Sequence, residues 1–147
     1  MGEKRKDLNE YKAVLNKQQG FESLVKIRDH SITIDEPEKA GGTDKGPNPV
    51  EVLLSSVVGC LDFTGTIVAK EMGYKLEEFE LTVEGGLDPR GVMGKADVPV
   101  GLQYIRVEVI NIKGIPEEKI PEFLKEVEAR CPVRNTLKDE VFADIER

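Results

Sequence analysis

The sequence predicts an α+β fold in the order β-β-β-α-β-β-α-α-β, arranged around one long central buried helix. Three observations carry this expectation. Short runs of alternating apolar and polar residues fill the first third of the chain. The longest apolar segment, PVEVLLSSVVGCLDFTGTIVAKEMG (49–73), has helical start and stop signals. After two more strand-like runs, helical spacing returns at 115–131.

In chain order, LNEYKAVLN (8–16), FESLVKI (21–27) and HSITI (30–34) alternate as strands, and their short separators predict a three-stranded meander. His30 reads as a strand residue. DEPEKAGGTDKGPNP follows, rich in glycine and proline and without periodicity, as a long loop. Pro49 suits the first helical position, Glu51 the positive end of the dipole and Gly73 the stop. Val52 to Leu61 is apolar or small on all sides, which marks a core helix. Asp62 and the Ser and Thr residues interrupt the ~20 apolar residues that a membrane span needs. At ~1.5 Å per residue the segment is about 36 Å long. One chain of this size would not cover such a rod, so a partner subunit related by a two-fold axis is expected. LEEFELTVEGGL (76–87) and VGLQYIRVEVINI (100–112) predict a hairpin with a long loop. IPEEKIPEFLKEVEARC (115–131) sets Ile115, Ile120, Phe123, Leu124 and Val127 at helical spacing, with Pro121 marking a second start. A turn with a short helix and a final strand, VFADIE, complete the chain.

The chain's 147 residues fit a single domain over 1–147. Hydrophobic content of 39% against 33% charged residues places it among folded globular chains. Its net charge of −7 and lack of tryptophan argue against nucleic acid and anionic membrane as partners. The first twelve residues, MGEKRKDLNEYK, are charged and carry no apolar signal segment, so a cytoplasmic location is expected.

One histidine and two cysteines match no zinc spacing, and no metal or cofactor is expected. EGGLDPRGVMGKAD lies between strands and has neither phosphate-loop pattern. Ser55 and Ser56 sit inside a helix, outside any nucleophile elbow. The two cysteines remain. Cys131, with Pro132 behind it and Arg130 and Arg134 beside it, reads as a helix N-terminus that favours a thiolate. Cys60, among Val57, Val58, Gly59 and Leu61, reads as an inert core cysteine. By these local arguments Cys131 is the better nucleophile.

GPNPVEVLLSSVVGC (46–60) and CPVRNTL (131–137) together resemble the OsmC/Ohr family, the osmotically inducible and organic hydroperoxide resistance proteins. The order of elements resembles it over nearly the whole chain. The resemblance implies an OsmC-like intertwined homodimer with both central helices buried between two sheets. It also implies a thiol-dependent peroxidase that reduces organic hydroperoxides, with its site near the subunit interface. Cys60 would attack the peroxide and become a sulfenic acid, and Cys131 would resolve it as a disulfide later reduced by an external thiol. An acidic residue and an arginine activate the thiol in the family. Here Val50 follows the Asn-Pro pair, Glu51 comes one place later, and Arg28 is the nearest upstream arginine. Nine positions separate Glu51 from Cys60, so on one helix the two face apart. The other reading is a non-catalytic dimer that binds an apolar ligand at the interface or senses redox state. A third is chemistry at Cys131 without Cys60.

Overall fold

In a computed structural model, residues 7–147 are described; the reading of MGEKRK at 1–6 lies outside them. Packing along the chain defines two units, one ending at Val52 and the other running from Leu53 to Arg147. The single domain expected over 1–147 spans both.

In the first unit, β1 (Val14–Lys17), β2 (Ser23–Ile27) and β3 (His30–Ile34) form the antiparallel meander β1-β2-β3. Residues 8–13 take no part in β1, shorter than the run at 8–16 suggested. Arg28 opens the two-residue turn between β2 and β3 with a left-handed φ of 55°. The long loop is organised by one carboxylate. Asp35, 1% exposed, accepts hydrogen bonds from the backbone N–H groups of Glu36, Thr43 and Lys45 and from the Thr43 hydroxyl. Gly42 is required in this loop, because a Cβ there would lie 1.9 Å from the Glu36 carbonyl oxygen.

The Thr43 hydroxyl, assisted by the three backbone donors and opposed by burial, holds the Asp35 pKa at about 2. A lowered folded-state pKa adds stability above the unfolded value of 3.8, and that stability is lost as pH falls through about 2. Asp35→Asn is therefore expected to lower the urea midpoint at pH 7. Its difference from the parent should shrink steadily as both are titrated toward pH 2.

The long helix α1 is Pro49–Glu71, two residues shorter than its pattern. Asn48 and Glu51 cap its start reciprocally: the Glu51 N–H donates to Asn48 Oδ1 and the Asn48 N–H to Glu51 Oε2, each at 2.9 Å. Gly73, left-handed at φ 85°, ends it. By length and composition α1 could cross a bilayer, a test that core helices also pass.

In the second unit α1 buries Val57, Leu61, Thr64, Gly65, Val68 and Ala69 on one face. β4 (Glu78–Gly86) and β5 (Tyr104–Lys113) pair antiparallel, with a register shift between Glu80 and Leu81. Ile105, Val107 and Val109 alternate inward along β5. The loop between these strands holds one short helix, α2 (Pro89–Val92), capped by Asp88. A 3₁₀ turn at Glu117–Lys119 precedes α3 (Ile120–Arg130), so the second start at Pro121 is the true one and 115–119 are not α-helical. Phe123 meets Phe79 edge-on at 5.8 Å between ring centroids. A short helix α4 (Pro132–Thr136) follows. The expected final strand reduces to isolated parallel bridges, Ile105 with Phe142 and Glu108 with Glu146.

The expectation that α1 is wrapped on all sides is not met within the chain. Leu53, Phe63 and Ile67 stand 38%, 61% and 37% exposed.

Candidate active site around two cysteines

Cys131 lies at a corner of the chain. It is the C-cap of α3 and the N-cap of α4, and Pro132 in the first turn forces the break. Its Sγ accepts a hydrogen bond from the Arg134 N–H at 3.5 Å. Its carbonyl receives the Asn135 N–H at 3.0 Å and Asn135 Nδ2 at 2.8 Å. Asn135 Nδ2 also reaches the Glu128 and Ala129 carbonyls, so one amide closes the end of α3.

Cys131 is fully buried and Cys60 half-buried; both are free thiols. Seventy-one positions apart in sequence, they belong to one apolar cluster, and the Cys60 side chain lies against Cys131. Burial is the main reason that the Cys131 pKa rises to about 11. The backbone N–H groups of Arg134 and Val133 oppose that rise, while hydrogen bonding and charge at Cys60 add to it.

This corrects the local reading of Cys131 as the readier thiolate. The helix terminus is present, but its few donors lose to desolvation. The two arginines are also committed elsewhere. Arg130 reaches Glu71 at 2.5 Å and Glu126 at 3.7 Å. Arg134 reaches Glu128 at 3.3 Å and Asp139 at 3.1 Å, with its guanidinium 4.3 Å from the Phe142 ring centroid. Arg134 thus braces the corner around Cys131 with its side chain, and of its own groups only the backbone N–H reaches the sulfur.

The other expected site residues lie in the first unit. Glu51 caps α1, and Arg28 is exposed in its β-turn. Asp62, which interrupts the apolar run of α1, is exposed. It is two positions from Cys60, on the opposite side of the helix. Among the described residues no group of three His, Cys, Asp or Glu side chains is placed to hold a metal ion.

The heptad spacing of Leu53, Ser56, Cys60, Phe63 and Ile67 sets half-buried Cys60 where the exposed stripe of α1 meets its buried face. Thr64, one turn after Cys60, lies on the buried side. The sequence reading passed over it; its signal was a lone hydroxyl four residues from a cysteine on a face of apolar and small residues.

An α+β fold that gathers two free cysteines from a long helix and a Cys-Pro corner defines a dithiol protein. A family profile for OsmC-like proteins matches residues 42–146. The chain belongs to the OsmC-like family. No curated protein matches it in sequence. It is similar in structure to an OsmC-like protein from Mycoplasma pneumoniae, with a TM-score of 0.75, 23% identity and 94% of each chain covered. It is also similar to an organic hydroperoxide resistance protein OsmC from Legionella pneumophila, with a TM-score of 0.72 and 19% identity over 96% of this chain and 98% of that one. The organic hydroperoxide resistance protein OhrB of Bacillus subtilis has a TM-score of 0.66 and 22% identity over 94% and 97%. These likenesses show the OsmC-like fold.

Proposed function

We propose that the protein is a cysteine-based peroxidase that reduces organic hydroperoxides in oxidative-stress defence. The observation that carries this reading is the contact between half-buried Cys60 and buried Cys131 in one apolar cluster. Family membership and neighbours named for hydroperoxide resistance support it.

Cys60, the less buried sulfur, attacks the terminal peroxide oxygen as a thiolate. The S–O bond forms, the O–O bond breaks, and the alkoxide takes a proton and leaves as the alcohol. Sulfur is oxidised by two electrons to the sulfenic acid. The Cys131 sulfur then displaces that oxygen; the thiol's proton accompanies it as water is lost, and a disulfide remains. Two equivalents of an external thiol reduce the disulfide and become a disulfide themselves. The apolar surroundings favour an organic over an inorganic peroxide. A reducing cytoplasm suits two free thiols that must be restored each turnover.

The exposed stripe of Leu53, Phe63 and Ile67 on either side of Cys60 supports a homodimer in which α1 packs against its partner beside the site. Glu51 is assigned to the helix cap in its own chain, and its carboxylate would assist Cys60 only across the dimer.

Mass spectrometry after one equivalent of cumene hydroperoxide tests the reading. A Cys60–Cys131 disulfide is the expected product. Two unmodified thiols would reject the peroxidase and leave the binding or redox-sensing dimer.

A further inference from the structure

Thr64 carries the one buried side-chain polar atom among the described residues that has no hydrogen-bond partner. It is 4% exposed, on a face otherwise made of Val57, Leu61, Gly65, Val68 and Ala69. A buried hydroxyl in that state bears its desolvation without return, so each such case in a native fold calls for a reason.

The usual escape for a helical threonine is to donate to the carbonyl four residues back. Thr66, two positions on and exposed, does this to the Asp62 carbonyl at 3.0 Å. Thr64 does not bond the corresponding carbonyl, which is that of Cys60. Four positions advance a helix by just over one turn, so Thr64 shares the side of α1 that Cys60 borders. Side chains on a helix lean toward its N-terminus, so Thr64 covers the turn that carries Cys60.

We propose that Thr64 is a further catalytic residue whose hydroxyl is reserved for an oxygen held at the Cys60 sulfur. The inference rests on the peroxidase reading, and it adds a group to that site. In the reduced protein the hydroxyl has no acceptor among the described residues. When a hydroperoxide is brought to Cys60, its terminal oxygen extends the sulfur toward the core by one atom, and the Thr64 O–H donates to it. As the S–O bond forms and the O–O bond breaks, that oxygen stays on sulfur and keeps the hydrogen bond as the sulfenic acid. The departing alkoxide takes its proton separately. The bond thus exists in the transition state and in the oxidised product but not in the resting enzyme, which is the condition for it to raise the rate.

The test is stopped-flow oxidation of the full chain by cumene hydroperoxide in a Cys131→Ser background, where the sulfenic acid persists and is trapped with dimedone. Thr64→Val keeps the shape and removes the hydroxyl. It is expected to slow Cys60 oxidation roughly tenfold, the scale of one hydrogen bond to a charged group. It should also raise the melting temperature of the reduced protein by about 3 °C, because the unpaired group is gone. Thr64→Ser should restore the rate. Should the valine variant not fold, Thr64→Ala removes the same hydroxyl and should show the same slow oxidation. An unchanged oxidation rate without the hydroxyl, in a background that does form the sulfenic acid, overturns this proposal alone. Failure of the serine variant to recover the rate overturns it as well. If the Cys131→Ser parent itself gains no oxygen at Cys60, the peroxidase reading falls and takes this proposal with it.

Discussion

Cys60→Ser is expected to reduce organic hydroperoxide consumption to the uncatalysed background, while Cys131→Ser leaves a single slow turnover that stops at the sulfenic acid. A serine oxygen cannot climb the oxidation ladder that a cysteine sulfur can, so the first substitution removes the electron donor itself. The second removes only the partner that condenses with it. The asymmetry follows from the site. Cys131 is fully buried, and with its pKa at about 11 only a fraction on the order of 10⁻⁴ of it is thiolate at pH 7. A sulfur in that state is poorly suited to begin the reaction. It is well suited to wait as a thiol until its neighbour has been oxidised. The check is intact-mass measurement of each variant after one equivalent of cumene hydroperoxide with no thiol added, where the sulfenic acid of Cys131→Ser persists, run beside a dithiothreitol-supported consumption assay of Cys60→Ser against the parent. Full turnover by Cys60→Ser would mean that Cys131 acts alone and that burial does not silence it.

The elements and their order were legible because each carries a local signal. Asn48, Pro49 and Glu51 mark the start of α1, Gly73 marks its end, and Pro121 and Pro132 mark the beginnings of α3 and α4. The misread ends have local causes too. Residues 8–13 alternate but find no strand to pair with, and VFADIE forms isolated bridges beside β5 in place of a ladder. What sequence could not give was the balance of forces on Cys131. The Cys-Pro step and the arginines were visible, and they pointed to a low pKa. Deciding against it required knowing that Glu71, Glu128 and Asp139 engage the guanidinium groups and that the sulfur is fully buried. Charge partners contributed from distant segments are tertiary facts. Thr64 was missed for a related reason: an unpaired hydroxyl can be recognised only once every neighbour is known.

Phe123→Ala is expected to destabilise the protein by about 3–5 kcal/mol, the cost of emptying a large buried site. Phe123 is the largest fully buried side chain among the described residues, and it sits on α3, the helix that ends at Cys131. Its ring edge meets Phe79 from β4, and a Cβ placed on Gly65 of α1 would lie 3.3 Å from its Cζ. Gly65 therefore leaves room on α1 for the tip of the Phe123 ring, one turn and a residue beyond Cys60. Removing the ring leaves a void that Gly65 cannot fill, and α3 is free to shift along α1 with Cys131 at its end. A disulfide requires its two Cα atoms within about 7 Å, so a small displacement of that corner slows closure before it affects sulfenic acid formation. Two measurements check this together. Urea denaturation of the reduced protein should show the lowered stability. Rapid-quench mass spectrometry after one equivalent of cumene hydroperoxide should show the sulfenic acid accumulating ahead of the disulfide, at a temperature where the variant is still folded. If closure keeps pace with oxidation despite the lost stability, the Cys131 corner is positioned independently of Phe123, by the Arg130 and Arg134 ion pairs and the Asn135 amide.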